Sequence, residues 1–178
     1  ENHNIRYTNA ISLFLKDEKI PQSSKIELLA IGSNYTTTAV FKENDTTRAK
    51  LGPLKWAVKE VEDLTASYGG QAFLNDLATE RAFRENTSGK TVIHIASHGI
   101  VDEQQPLFSR LVLEKDPLDT IHDGNIFIHE LYNMELDADM VVLSACNTAT
   151  GSYAKGEGLM NIGRGFFYAG VPSVVMSH

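Results

Sequence analysis

Two residues of this chain have the chemistry of a nucleophile and of a base. Cys146 is the only cysteine. It follows the apolar run Met140-Val141-Val142-Leu143 and opens the small, polar stretch Asn147-Thr148-Ala149-Thr150-Gly151. His98 follows TVIHIAS, residues 91–97, and precedes Gly99. A thiol with a pKa near ~8.5 is only partly ionised at neutral pH. An adjacent imidazole takes the proton or, once charged, lowers the thiol pKa, and either way yields a soft nucleophile. The same ring can then protonate a leaving amine. A tetrahedral intermediate also needs amide donors for its oxyanion. Gly99, which has no side chain to block close approach, and the Cys146 amide are the candidates.

The elements that would position this pair are strands. An uninterrupted apolar run bounded by turn formers reads as a strand buried on both faces of a parallel sheet. Residues 140–145 and 91–97 both fit, and in open α/β sheets sites form in loops at the carboxyl ends of strands. Neighbouring strands lie ~4.8 Å apart, so adjacent strand ends can bring His98 and Cys146 within reach of each other. His94 lies ~13 Å back along its strand at ~3.3 Å per residue, and is predicted to be buried and structural. His3, His122, His129 and His178 have no strand-end setting. From the residues alone a second reading stays open. A lone cysteine is often a small core hydrophobe, and a lone histidine a satisfied structural group.

The rest of the chain supplies an alternation of strands and helices. Residues 26–31, IELLAI, form the first predicted central strand. Pro53 is expected in the first turn of a helix carrying Trp56, Val58, Val61, Leu64 and Tyr68, and Gly69-Gly70 ends it. Residues 71–74 read as a short strand. Asn75 or Asp76 is expected to cap a second helix over 77–85, with Phe83 and Trp56 in the core. Residues 107–114 alternate as a hairpin strand, and 126–132 fit a helix or a strand equally. A helix over 159–168 ends at Gly170, and 171–177 form a last buried strand. Ile5-Arg6-Tyr7 suggests an edge strand, 9–15 a short helix, and 42–50 a solvated loop. Alternation of this kind implies a mostly parallel sheet with right-handed crossovers.

Composition narrows the function. The 178 residues are 42 % hydrophobic and 22 % charged, enough for a core of ordinary size. The net charge of −7 argues against direct nucleic-acid binding. A single cysteine points to a reducing, cytoplasmic setting. No run is long enough to span a bilayer. One cysteine and scattered histidines lack metal-ligand spacing, so no metal or other cofactor is expected. Gly156-Glu157-Gly158 before a helix resembles part of a dinucleotide loop, but Asn161 stands at the third glycine position. A nucleotide-binding α/β domain is therefore the weakest of the three readings.

Taken together, IHIASHG (93–99), VVLSACNTATG (141–151) and GEGLMNIGRGFFYAGVPSVVMS (156–177) resemble the CHAT domain, a caspase-like family often found behind tetratricopeptide repeats in bacteria. PLKWAVKEVEDLTASYGG stands where that family has its first helix. The resemblance implies a caspase–hemoglobinase-like α/β fold: a three-layer sandwich with a mostly parallel central sheet and helices on both faces. It implies residues 26–178 as the domain, with 1–25 as an extension or edge element. It further implies His98 as base, Cys146 as nucleophile and Gly99 in the oxyanion hole. The spacing agrees with the caspase histidine lying roughly 50 residues before its cysteine.

The implied activity is cysteine endopeptidase cleavage of a protein or peptide substrate, gated by a repeat or sensor region outside this chain. The alternative is a non-catalytic interaction module with an unused dyad. The family continues past the last strand, so the C-terminal part of the domain and of its pocket is expected to be missing here. Ser144, Asn147 and Asp102 are expected in the substrate pocket. Metacaspase-like relatives that cut after Arg or Lys carry an acid where this chain has Ser144. An acidic pocket would then need another source, with Asp102, Asp137, Asp139 and Glu157 as candidates.

Overall fold

The apolar runs of the sequence line up as neighbouring parallel strands. The computed structural model describes residues 25–35, 51–102, 104–145 and 157–176. In chain order its elements are β1 (Leu28–Gly32), α1 (Ala57–Tyr68), β2 (Gln71–Leu74), α2 (Glu80–Asn86), β3 (Val92–Ala96), β4 (His98–Ile100), β5 (Arg110–Val112), β6 (Asn125–Phe127), α3 (Ile128–Leu131), β7 (Met140–Ser144), α4 (Glu157–Tyr168) and β8 (Val174–Met176). Among the described residues, β2-β1-β3-β7-β8 form one sheet with every pair parallel. A smaller antiparallel sheet, β4-β5-β6, begins where β3 ends.

The two faces of the large sheet are covered unequally. On one face Leu29, Ile31, Ile93, Ile95, Val141 and Leu143 are fully buried. They pack in one core with Phe83 of α2, Leu111 of β5, Ile128 and Leu131 of α3, and Ile162 and Phe166 of α4. Each such aliphatic side chain contributes about 1.5–3 kcal/mol by leaving water. On the other face α1 packs Ala57 and Val61 against Leu28, Ala30 and Ala96. Gly32 permits this closeness: a Cβ there would meet Val61 Cγ2 at 2.8 Å and the Ala57 carbonyl oxygen at 2.9 Å. With helices on both faces of a parallel sheet, this is the three-layer α/β arrangement that the resemblance implied.

Several local expectations are corrected. The strands at 140–145 and 174–176 are not buried on both faces. Met140, Val142 and Ser144 are half-buried on the α1 side, and Val175 is 48 % exposed. Among the described residues α1 covers β1, β2 and β3, and nothing is seated over this side of β7 and β8. Trp56 is 75 % exposed rather than core, because α1 starts at Ala57 and leaves the tryptophan at its N-cap, off the packed face. The helix expected over 77–85 begins at Glu80. Its cap is Thr79, whose hydroxyl accepts from the Ala82 amide at 3.1 Å, and Asn75 opens a separate 3-10 turn. The hairpin strand starts only at Arg110, since Pro106 to Phe108 form a 3-10 turn. Residues 126–132 divide between β6 and α3. Gly69 and Gly70 end α1 as expected, at φ of 71° and 105°. The segments 5–7, 9–15 and 42–50 lie outside the described residues.

Candidate active site

The site is built at the carboxyl edge of the large sheet, where β3 and β7 run side by side. Their register pairs Ala96 with Ser144. The pairing continues for one more step, with the Ser97 amide donating to the Ser144 carbonyl at 3.3 Å. Beyond Ser97 the chain turns into the small sheet, so His98 is the first residue of β4 and not the tail of β3. On the other strand Ala145 is fully buried. A Cβ placed on Gly99 would lie 3.8 Å from Ala145 Cβ and 3.8 Å from Ile162 Cδ1. Residue 145 therefore packs beside Gly99, and a side chain at 99 would fit at ordinary contact distance. Packing alone does not demand glycine there. Cys146 and Asn147 lie outside the described residues, as do the residues from 148 through 156.

His98 is held from two sides. It is 1 % exposed, and its Nε2 lies 2.8 Å from the Gly52 carbonyl oxygen. A carbonyl only accepts, so Nε2 carries the hydrogen and the neutral ring has its lone pair on Nδ1. The Tyr35 ring sits 4.8 Å away, tilted by 54°. Tyr35 is fixed in turn, because its hydroxyl donates to the Val112 carbonyl and Val112 pairs with His98 across β4 and β5. Burial lowers the His98 pKa below the ordinary histidine value, more than the Gly52 hydrogen bond raises it. The loop carrying Gly52 is anchored by the Leu54 amide, which donates to the Asn34 carbonyl at 3.0 Å. The arrangement is a neutral imidazole with its tautomer fixed by the main chain, a form that can accept a proton.

His94 shares the burial and the lowered pKa of His98 but not its setting. It is the middle residue of β3, paired with Ala30 and Val142, and faces the α1 side. This agrees with the expectation of a buried mid-sheet group. Its Nε2 approaches Glu60 Oε1 at 3.2 Å, an ion-pair distance, but lacks the alignment of a hydrogen bond. Burial lowers its pKa and the Glu60 charge only partly offsets that. Its neutral form dominates at pH 7, so the contact is weaker than an ion pair.

The predicted pocket residues separate. Ser144 ends β7, with its hydroxyl donating to Glu60 Oε2 at 2.9 Å. Asp102 lies just past β4, but its Oδ1 accepts from the Gln104 and Gln105 amides at 3.0 and 2.8 Å and so closes its own loop. Asp137 and Asp139 precede β7 and stand at the opposite edge of the sheet, where the Asp139 amide donates to the Thr91 carbonyl. Glu157 opens α4. Gly52, Tyr35 and Glu60 were not picked out by sequence reasoning. A main-chain acceptor and a glutamate among the charged residues of an amphipathic helix carry no signal in the sequence.

Among the described residues no group of three or more His, Cys, Asp or Glu could hold a metal ion. No helix there is long and apolar enough to cross a membrane. Among curated proteins none matches the chain. The CHAT domain family matches residues 1–178, and the chain belongs to that family.

Proposed function

We propose that this CHAT domain is a cysteine endopeptidase that cleaves a protein substrate through His98 and Cys146. The observation that carries the reading is the orientation of His98. Its Nε2–H is held by the Gly52 carbonyl, which leaves the lone pair on Nδ1, and Ala145, the sequence neighbour of Cys146, packs beside Gly99. In this reading Nδ1 takes the thiol proton and the thiolate attacks the scissile carbonyl carbon. The Gly99 and Cys146 amides donate to the oxyanion. The imidazolium then protonates the departing amine, and water, deprotonated by His98, hydrolyses the thioester. Asn147 and Asp102 belong to the surroundings of the cleft. The reaction needs no cofactor. The family's association with tetratricopeptide repeats supports gating by a region outside this chain, in a cytoplasmic setting.

One observation favours a second reading, a protein-interaction module whose dyad is unused: His98 is almost completely covered. A thiol-directed electrophile separates the two. In the peptidase, Cys146 is alkylated faster than a free cysteine at pH 7, and His98→Ala removes that advantage. Cys146→Ala abolishes cleavage while costing about 1 kcal/mol of stability or less. Cleavage that survives Cys146→Ala would assign the chemistry to another residue.

A further inference from the structure

We propose that Tyr35 is a positioning residue for His98, holding the plane of the imidazole so that Nδ1 keeps one direction. For its effect on the thiol this rests on the peptidase reading. The Gly52 carbonyl fixes only one point of the His98 ring. The second side-chain torsion of histidine is broad and roughly two-fold, so a single hydrogen bond leaves the plane of the ring loosely set. The Tyr35 ring supplies the missing constraint. Its centroid lies 4.8 Å from that of His98, with the planes tilted by 54°. An edge held by a carbonyl and a face held by an aromatic ring together stop the swing.

Tyr35 is itself tied at both ends. Its amide donates to Ser33 Oγ at 3.1 Å, and the Ser33 hydroxyl donates to Glu114 Oε1. Its own hydroxyl donates to the carbonyl of Val112, the residue that pairs with His98. The ring is thereby fastened to the strand next to the one that carries His98. The backbone at Tyr35 has φ of 50°, in the left-handed region that a bulky residue seldom enters. Such a conformation persists only where the surroundings over-determine it, and it gathers at functional sites. Among the described residues Asn75 is the other non-glycine with positive φ, and asparagine tolerates that region by local hydrogen bonding. Tyrosine has no such excuse. The neighbouring Asn34 carbonyl accepts from the Leu54 amide at 3.0 Å and so steadies the loop of Gly52. The short stretch Ser33-Asn34-Tyr35 therefore supports both contacts to the His98 ring.

The test reads the ring and the thiol separately. In 15N-labelled protein the Nε2–H proton of His98 should be visible at pH 7, because it is hydrogen-bonded and covered. Tyr35→Gly removes the aromatic ring and suits the left-handed backbone, so the fold is kept. It should speed solvent exchange of that proton by about tenfold or more, whereas Tyr35→Phe, which keeps the ring, should stay within about threefold. Cys146 is the only cysteine, so iodoacetamide reads it alone. Alkylation at pH 7 should slow by about 10- to 100-fold in Tyr35→Gly, the scale on which a misplaced group loses rate, and Tyr35→Phe should restore most of it. Tyr35→Asn, also at ease with positive φ, should behave as Tyr35→Gly and serves if the glycine variant does not fold. Unchanged exchange in a folded Tyr35→Gly protein overturns the proposal. Equal losses in Tyr35→Gly and Tyr35→Phe overturn it too, since they assign the effect to the hydroxyl and not to the ring. The two levels of failure differ in signature. If the unaltered protein is alkylated no faster than free cysteine while Tyr35→Gly still speeds the exchange, the peptidase reading falls and the hold on His98 stands. If alkylation is fast and neither rate responds to Tyr35→Gly, the role of Tyr35 alone is refuted.

Discussion

His94 and His98 lie on either side of the break at Ser97, one in the large parallel sheet and the other in the small antiparallel one. Both are buried, and in both the pKa is lowered mainly by burial. They differ in what faces the ring nitrogens. His98 has a short contact to a backbone carbonyl that fixes its tautomer, and an aromatic ring against its face. His94 has an imperfectly aligned carboxylate and the wall of a cavity. Burial and a depressed pKa therefore do not mark a catalytic histidine. What sets His98 apart from His94 is a tautomer fixed by the main chain.

The largest test of that contrast is the loss of each ring. His98→Ala is expected to lower cleavage by at least about 10³-fold, because members of a dyad act as a unit. Turnover assays with a matched thermal melt would show it. Cleavage within tenfold of the unaltered protein would place His98 with His94 among the structural groups.

The second test is pH. Both folded-state pKa values lie below the unfolded value of about 6.5, so between the two the unfolded chain binds more protons. Stability from these rings is fully present above pH ~6.5 and is lost as pH falls through the folded values. The melting temperature should accordingly drop on acidification below pH ~6.5. His94→Leu should remove only part of that slope. If it removes all of it, His98 is not the neutral, buried base described above.

The smallest effect is on stability at pH 7. His94→Leu replaces a buried ring nitrogen lacking a hydrogen bond with an apolar group of similar bulk. It should be neutral or stabilising by about 1 kcal/mol in urea unfolding. A loss above about 2 kcal/mol would mean that the Glu60 contact holds α1 to the sheet as a true ion pair.

Much of the frame was legible because it rests on hydrophobic runs. Leu28–Gly32, Val92–Ala96 and Met140–Ser144 are strands, and the last two are the neighbours that bringing His98 and Cys146 together would require. What escaped depends on where elements begin and on who covers whom. Trp56 was assigned to a helix face on the assumption that Pro53 starts the helix, and a start at Ala57 moves it into solvent. The apolar run of β7 could not tell that the α1 side is half-open, since Val142 reads the same whether or not a helix lies over it. The turn at Ser97 was invisible because the residues flanking it fit a strand equally well. Glu60 was one of several charged residues on α1 until the fold brought it to Ser144.

One partner of the His98 ring is an oxygen of the main chain. No codon change deletes it. A saturation scan at position 52 would report on the path of the loop, not on the atom, and could miss the contact altogether. Relatives could hold any residue at that point and keep the same acceptor, provided the loop follows the same course. Part of such a site is inherited as chain shape, and a comparison of residue identities would undercount it.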